Sequence, residues 1–483
     1  MIFSKKLTIL ILILLIKVSI LTADSNQDRY NNCIDIAKNY YDKGQYQEAI
    51  KYYQEAIQLA PNNPKCYLNL AWVYYHIRNY HEAIKYYQKV IKLMPNDIDN
   101  YVTLGYVYSD MKDYQGAIKL FNKIIESGLD KVKGYAGLGK VYSDMENYQE
   151  AMKWFSKAIE LDSYDRESCA GLGRVYFNMK DYQEAIKWFK RSLERPTNFN
   201  YACSYQGLGN VYEKIGIPSL AEQSFLNVIK EEPDAYRGYY DIAWYYFDIG
   251  KVVKAEENIE KALSLVFSDV DRQSVLELRG FILIMRQEYD TAEAIFNDLL
   301  KKDNTSGFAM AGLGHIYNAR KDYPKAKSYF EEGVKKRDSW RFAMLGLGWV
   351  NANEHRHKEA IECYKAVLEE NPLFILGLLG MGNSYNWLEK YDKAEECFKK
   401  VLKIDPNNEY ALAELGTVYM NRGQNKKSEK LLKKSLTINN KTYTCPYEGL
   451  GLVYLKQNKI KEAEENFKKA ISINPEIEYK KYN

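Results

Sequence analysis

Apolar and polar positions alternate along this chain in a scheme that returns every 34 residues or so. Small residues stand at Ala37, Ala71, Gly105, Gly139, Gly173, Gly209, Ala243, Gly280, Gly314, Gly348, Gly382, Gly416 and Gly451, and nine of the twelve intervals between them are 34 residues. Three residues after each comes a tyrosine, except at Leu283 and Asn351. Twelve residues after each comes alanine, with Ser428 the one exception, and four further on a large apolar residue such as Tyr53, Phe121, Phe296 or Phe398. Large residues at i, i+3, i+4 and i+7 make one apolar helical face, so each unit is predicted to hold two helices. The small residues let a neighbouring helix approach, and an aromatic fills the space beside them. Pro61, Pro95, Pro233, Pro372, Pro406 and Pro475 close six units, because proline lacks an amide donor and clashes with the preceding turn. Pro218 and Pro324 fall where a second helix should begin, a position that tolerates proline.

Thirteen such units run from about Tyr30 to Pro475. Segments such as Tyr67 to Pro95 (YLNLAWVYYHIRNYHEAIKYYQKVIKLMP) and Leu378 to Pro406 (LLGMGNSYNWLEKYDKAEECFKKVLKIDP) resemble the tetratricopeptide repeat family, with its large–x₂–L–G–x₂–Y…A–x₃–F…P pattern. The large residue opening the motif is here usually Tyr, Leu or Met rather than Trp; these are equally bulky and apolar. The resemblance implies an all-α protein: a right-handed superhelical solenoid of antiparallel helix pairs. The two largest departures from the period are two extra residues near Arg195 to Tyr201 and three near Phe267 to Gln273. The eighth unit also carries Arg279 and Leu283 at motif positions. Each repeat of a solenoid contacts only its neighbours, so a weak unit lowers coupling locally. The expected division is therefore 24–266 (repeats 1–7) and 267–483 (repeats 8–13), with a hinge near 264–285.

The resemblance also implies a binding face. In the family, first helices line a concave groove, and the second, fifth, ninth, twelfth and thirteenth positions of a unit point inward. Carried onto this sequence, those positions give Phe308, Phe342, Leu345, Trp349, Leu376, Leu379, Trp387 and Tyr410 in repeats 9–12, with Trp72 in repeat 2 and Trp244 in repeat 7. Repeats 3–6 present polar residues instead, among them Asp99, Lys133, Lys140, Asp144, Arg174, Asn210, Glu213 and Lys214. Large apolar residues on an exposed face mark interaction sites, so repeats 9–12 are the expected ligand site. Lys140, Arg174 and Asn210 come nearest to the carboxylate grip that some family members use on a partner's C-terminus, but their spacing differs.

Composition narrows the function classes. Among 483 residues, 68 Lys+Arg against 64 Asp+Glu give a net charge of +4, spread evenly, which lacks the clustered basic face that nucleic acid requires. Seven units contain Gly-x-Gly, but at one helical position with no strand before it, so phosphate cradling is not implied. His355 and His357 flank Arg356 in a turn and read as surface residues, with no third metal ligand in view. The seven cysteines contain no CxxC pair and read as unpaired thiols. Asn304-Thr305-Ser306 and Asn440-Lys441-Thr442 match the glycosylation acceptor pattern in inter-repeat turns. No catalytic residue, metal site or cofactor is predicted. The expected function is a non-enzymatic scaffold that binds other proteins or peptides, with an assembly factor of an envelope or secretory complex as the alternative. A regulatory repeat module of a glycosyltransferase-like enzyme is a third reading, for which the sequence offers no catalytic domain. At the N-terminus, Lys5 and Lys6 precede an apolar run from Leu7 to Ile16, then Lys17 and a weaker run to Ala23. This is the layout of a secretory signal. It predicts a periplasmic or secreted protein after cleavage near Ala23, or one anchored in a membrane by residues 7–22; only a retained segment would bring membrane contact.

Overall fold

The computed structural model describes residues 27–194, 201–266, 268–336, 339–439 and 443–474. The candidate signal segment 1–23, the extra residues at 195–200, the second glycosylation pattern and Pro475 lie outside them. Among the described residues the chain forms 26 helices, numbered α1–α26, and no strand. They fall into thirteen pairs, one per repeat, from α1 (27–42) and α2 (Tyr46–Leu59) to α25 (Cys445–Lys456) and α26 (Ile460–Ile473). In most repeats the first helix packs against its own second helix, which packs in turn on the first helix of the next repeat, and several successive first helices also touch. This is the tetratricopeptide-like α-solenoid that the resemblance implies.

Local chemistry sets the helix ends. Asn79, Asp113, Asn147, Asp181 and Asp322 each accept a backbone N–H three residues on and so start the second helices of their repeats, satisfying a donor the helix cannot pair itself. The turn before each cap needs one left-handed residue. Gly44, Gly216, Gly250 and Gly423 supply it in four repeats, while Arg78, Lys112 and seven other non-glycine residues adopt it elsewhere.

The core is a column of one repeated contact. All twelve motif alanines and Ser428 are fully buried. Beside them several of the large rings are clasped by two glycines. Phe121 lies against Gly105 of its own repeat and Gly137 of the next, and a Cβ added there would stand 2.5 and 2.1 Å from the ring. Phe155 sits likewise between Gly139 and Gly171, Phe296 between Gly280 and Gly312, and Phe330 between Gly314 and Gly346. The Gly-x-Gly of each unit thus holds two rings: its first glycine meets the preceding repeat's and its second its own.

The chain divides into two compact units. Unit 1 comprises residues 27–208 of the described chain with Val266–Arg272, and unit 2 comprises Gly209–Leu265 with the residues from Gln273 onward. The three extra residues of the second joint lengthen a helix: α15 runs unbroken from Asp269 to Met285, 17 residues where most first helices have 13 or 14. Among the described residues no helix is long and apolar enough to cross a membrane.

Two substitutions test the core column in opposite directions. Gly137→Ala should lower stability in urea unfolding by about 2–4 kcal/mol, since Phe121 is held on both sides and cannot retreat. Ser428→Ala should raise it by about 1 kcal/mol, because the Ser428 hydroxyl is buried with no hydrogen-bond partner.

Candidate protein-binding groove

The inner faces of the first helices differ between the two units. In unit 1, the polar stretch predicted for repeats 3–5 is paired with itself. Lys133 bridges to Asp99 at 2.6 Å, Lys140 to Asp144 at 2.8 Å, and Tyr106 donates to Glu167 two repeats away. Lys140 also lies over the Tyr106 ring, so its ammonium is already committed, which removes one member of the carboxylate grip considered above. Repeat 2 is open: Trp72 is 46% exposed and stacks on Tyr75 at 5.8 Å, while its indole N–H donates to the Tyr41 hydroxyl.

In unit 2 the aromatic residues of the inner face pack on one another across the groove. Trp244 lies 5.4 Å from Phe342 and 6.1 Å from Phe308, and Phe281 stacks on Phe342 at 4.5 Å. Phe342 and Leu345 are 2% and 1% exposed. These rings join α13 (Tyr236–Asp248) of repeat 7 to α19 (Trp340–Asn353) of repeat 10. Of the predicted ligand residues, Phe342 and Leu345 are therefore satisfied by the protein's own rings. Phe308 and Trp244 are partly buried in the same cluster. The resemblance places these positions on the inner face, but it does not tell that the opposite wall of the groove reaches them.

A polar latch borders the rings. Arg341 bridges to Asp248 at 2.8 Å, both side chains largely buried. The Asn371 amide donates to Asp248 at 2.7 Å and to Glu213 at 2.9 Å, and Lys214 donates to the Glu370 carbonyl. The Arg341 guanidinium also lies 4.8 Å over Phe342 and 5.0 Å over Phe374. Desolvation, and next the charge of Asp248, push the Glu213 carboxyl up to about 7. Burial raises Asp248 too, opposed by Arg341. Two carboxylates this close to one guanidinium keep a proton between them past the ordinary carboxylate range. Nothing in the sequence signals this latch, because the residues it pairs lie 93 to 158 positions apart.

Beyond the latch the inner face is open. Trp387 is 67% exposed and Tyr410 39%. Trp349, Leu376 and Leu379 line a cavity of about 490 Å³ with Trp387. His357 also lines it, and here the sequence reading needs correction: His357 is not a surface residue but is 8% exposed, its ring lying parallel to Trp387 at 5.5 Å. The neighbouring repeat supplies the cover, which a turn read in isolation hides. All seven cysteines are free thiols, and burial pushes Cys169 and Cys397 up to about 11, which makes them poor nucleophiles at neutral pH.

The latch should be pH-sensitive. A carboxyl whose folded value is raised binds its proton more tightly in the closed form, so closure is favoured at low pH and weakens as pH rises from about 4.5 through about 7. Amide exchange in α13 and α19, corrected for intrinsic rate, should therefore accelerate between pH 5 and 8. Glu213→Gln, which can still accept from Asn371 and donate to Asp248, should flatten that dependence; an unchanged profile would remove Glu213 as its source.

Comparison with known proteins fits this geometry. Tetratricopeptide repeat profiles match residues 30–96, 98–127, 132–165, 166–195, 375–408, 397–430 and 447–477. A search of curated proteins finds no match. Among solved structures the chain is similar to one in the crystal structure of the APC/C hetero-tetramer Cut9-Hcn1, with a TM-score of 0.57 and 17% identity over 93% of this chain and 88% of that one.

Proposed function

The chain belongs to the tetratricopeptide repeat family, a family of protein-interaction scaffolds, and we propose that it holds an extended peptide or a helix of a protein partner on the inner face of its first helices. The observation that carries this reading is where the exposed indoles lie. Trp72 and Trp387 are the two most exposed tryptophans described, and both occupy inward positions of first helices, in repeats 2 and 11. An exposed indole is costly in water and is a frequent energetic anchor in interfaces. The open stretch of unit 2, from Trp349 through Leu376, Leu379 and Trp387 to Tyr410, is the principal site, and the Trp72 surface of unit 1 a second one. The role is non-enzymatic: the groove presents apolar rings and amides rather than an activated nucleophile or an acid–base pair.

Residues 1–23 then act as an export signal in this reading, so the mature protein would begin near Asp24 and meet its partner outside the cytoplasm. N-terminal sequencing of the protein from its own cells decides between cleavage and a retained anchor.

A partner recovered by affinity capture on the full chain provides the main test. Trp387→Ala should weaken its binding by about 2 kcal/mol while leaving the far-UV spectrum unchanged, since the ring is mostly in solvent. Phe342→Ala should instead destabilise the fold by about 3–5 kcal/mol in denaturant unfolding, because its ring is core. A partner whose affinity ignores both Trp387→Ala and Trp72→Ala would refute the groove reading.

A further inference from the structure

The cavity beside Trp387 has a more specific chemistry than an apolar groove. Trp349, Trp387, Leu376 and Leu379 all line it. None of its twelve lining residues carries a charge at neutral pH, since burial, and next the neighbouring His355, hold the His357 imidazole below its ordinary value and so neutral. An ammonium or carboxylate entering here would lose its water and find no counter-ion.

Yet the cavity is not simply greasy. Both ring nitrogens of His357, the Ser384 hydroxyl and the Asn383 carbonyl oxygen are buried without a hydrogen-bond partner. His357 is 8% exposed and Ser384 1%, so neither is bathed in solvent. A neutral imidazole offers one donor and one acceptor, and a hydroxyl group can answer both kinds. Two indole walls are best filled by a flat ring, because ring pairs gain beyond the area they bury.

We propose that this pocket receives an uncharged aromatic side chain bearing a hydrogen-bonding group, tyrosine foremost, from an extended peptide lying along the groove. The assignment rests on the groove reading above and specifies which residue the partner must offer. The peptide, rather than a sugar, is favoured by what adjoins the pocket. Asn353 donates to Asn318 at 3.3 Å between repeats 9 and 10, and Asn421 donates to Asn386 at 3.1 Å between repeats 11 and 12. Each amide pair uses one donor and one acceptor and keeps further capacity. A side-chain amide matches the N–H and C=O of a peptide unit, and four of them in successive repeats suit a backbone that continues past the pocket on both sides.

Selection of a phage-displayed random dodecapeptide library against the full chain supplies a defined probe. Selected peptides should share one aromatic position, predominantly tyrosine. The synthetic peptide should bind Trp387→Ala about tenfold or more weakly than the natural chain. Replacing its tyrosine by phenylalanine should cost about fivefold, and replacing it by glutamate or lysine should abolish binding. His357→Phe keeps the ring stack but removes the unpaired nitrogens, so there the preference for tyrosine over phenylalanine should vanish; if that variant does not fold, the Trp387→Ala and peptide comparisons still decide. Selected peptides that bind Trp387→Ala undiminished, or that tolerate glutamate at the aromatic position, overturn the pocket assignment and leave the groove reading standing. Recovery of no peptide at all overturns both. Tighter binding of maltohexaose than of any selected peptide overturns the choice of a peptide occupant.

Discussion

The contact on which this structure depends is a ring held between two glycines. Phe121, Phe155, Phe296 and Phe330 each touch one glycine of their own repeat and one of the next. The distances leave no room for a methyl group, so the ring fixes how closely three helices approach. A gap here would lose dispersion contacts on both sides, and an added carbon would push two repeats apart. Where the ring is replaced by the smaller Leu432, between Gly416 and Gly449, the Cβ distances relax to 2.8 and 3.0 Å, and the buried alanine beside it becomes Ser428.

That contact also decides which residues are left for function. Second-helix rings fill the interior of the helix pairs, so the inward positions of the first helices are free of core duty within their own repeat. Whether they are free altogether depends on what faces them. In unit 2, repeats 7 and 10 face each other closely enough for Trp244, Phe281 and Phe342 to share one cluster, and the latch of Arg341, Asp248, Glu213 and Asn371 seals its edge. A buried pair of this kind gives little net stability, since desolvation offsets attraction. Its stronger effect is on specificity, because only one register of the two walls brings Arg341 and Asn371 onto Asp248.

The sequence made the fold legible and the site only half so. Period, alanines, aromatics and prolines gave thirteen helix pairs, because each repeat contacts its neighbours and the relevant spacing is local. The extra residues at the second joint extend α15 into one unbroken helix, and the compact units divide at 208/209 with Val266–Arg272 grouped with the first. Trp387 and Tyr410, both expected on the inner face, are exposed. What could not be read was the opposite wall. Phe342 and Trp387 look alike in the pattern, both large and at inward positions, but one is 2% exposed and the other 67%. His357 was hidden for the same reason: its cover, Trp387, comes from the next repeat.

The density of apolar residues on the inner face therefore carries two meanings that only the fold separates. Repeats 3–5 are polar inside and satisfy themselves through ion pairs such as Lys133–Asp99, which are exposed and worth little singly. Repeats 7–10 are apolar inside and satisfy themselves through rings. Repeats 10–12 begin with the same composition, but at the end of α21 (Ile375–Trp387) the Trp387 ring stands 67% in solvent. The same side-chain chemistry is core on one side of Arg341 and surface on the other. A surface of that kind next to buried, unpaired polar atoms costs free energy in the isolated chain, and a partner that supplies both a ring and a hydrogen bond removes both costs at once.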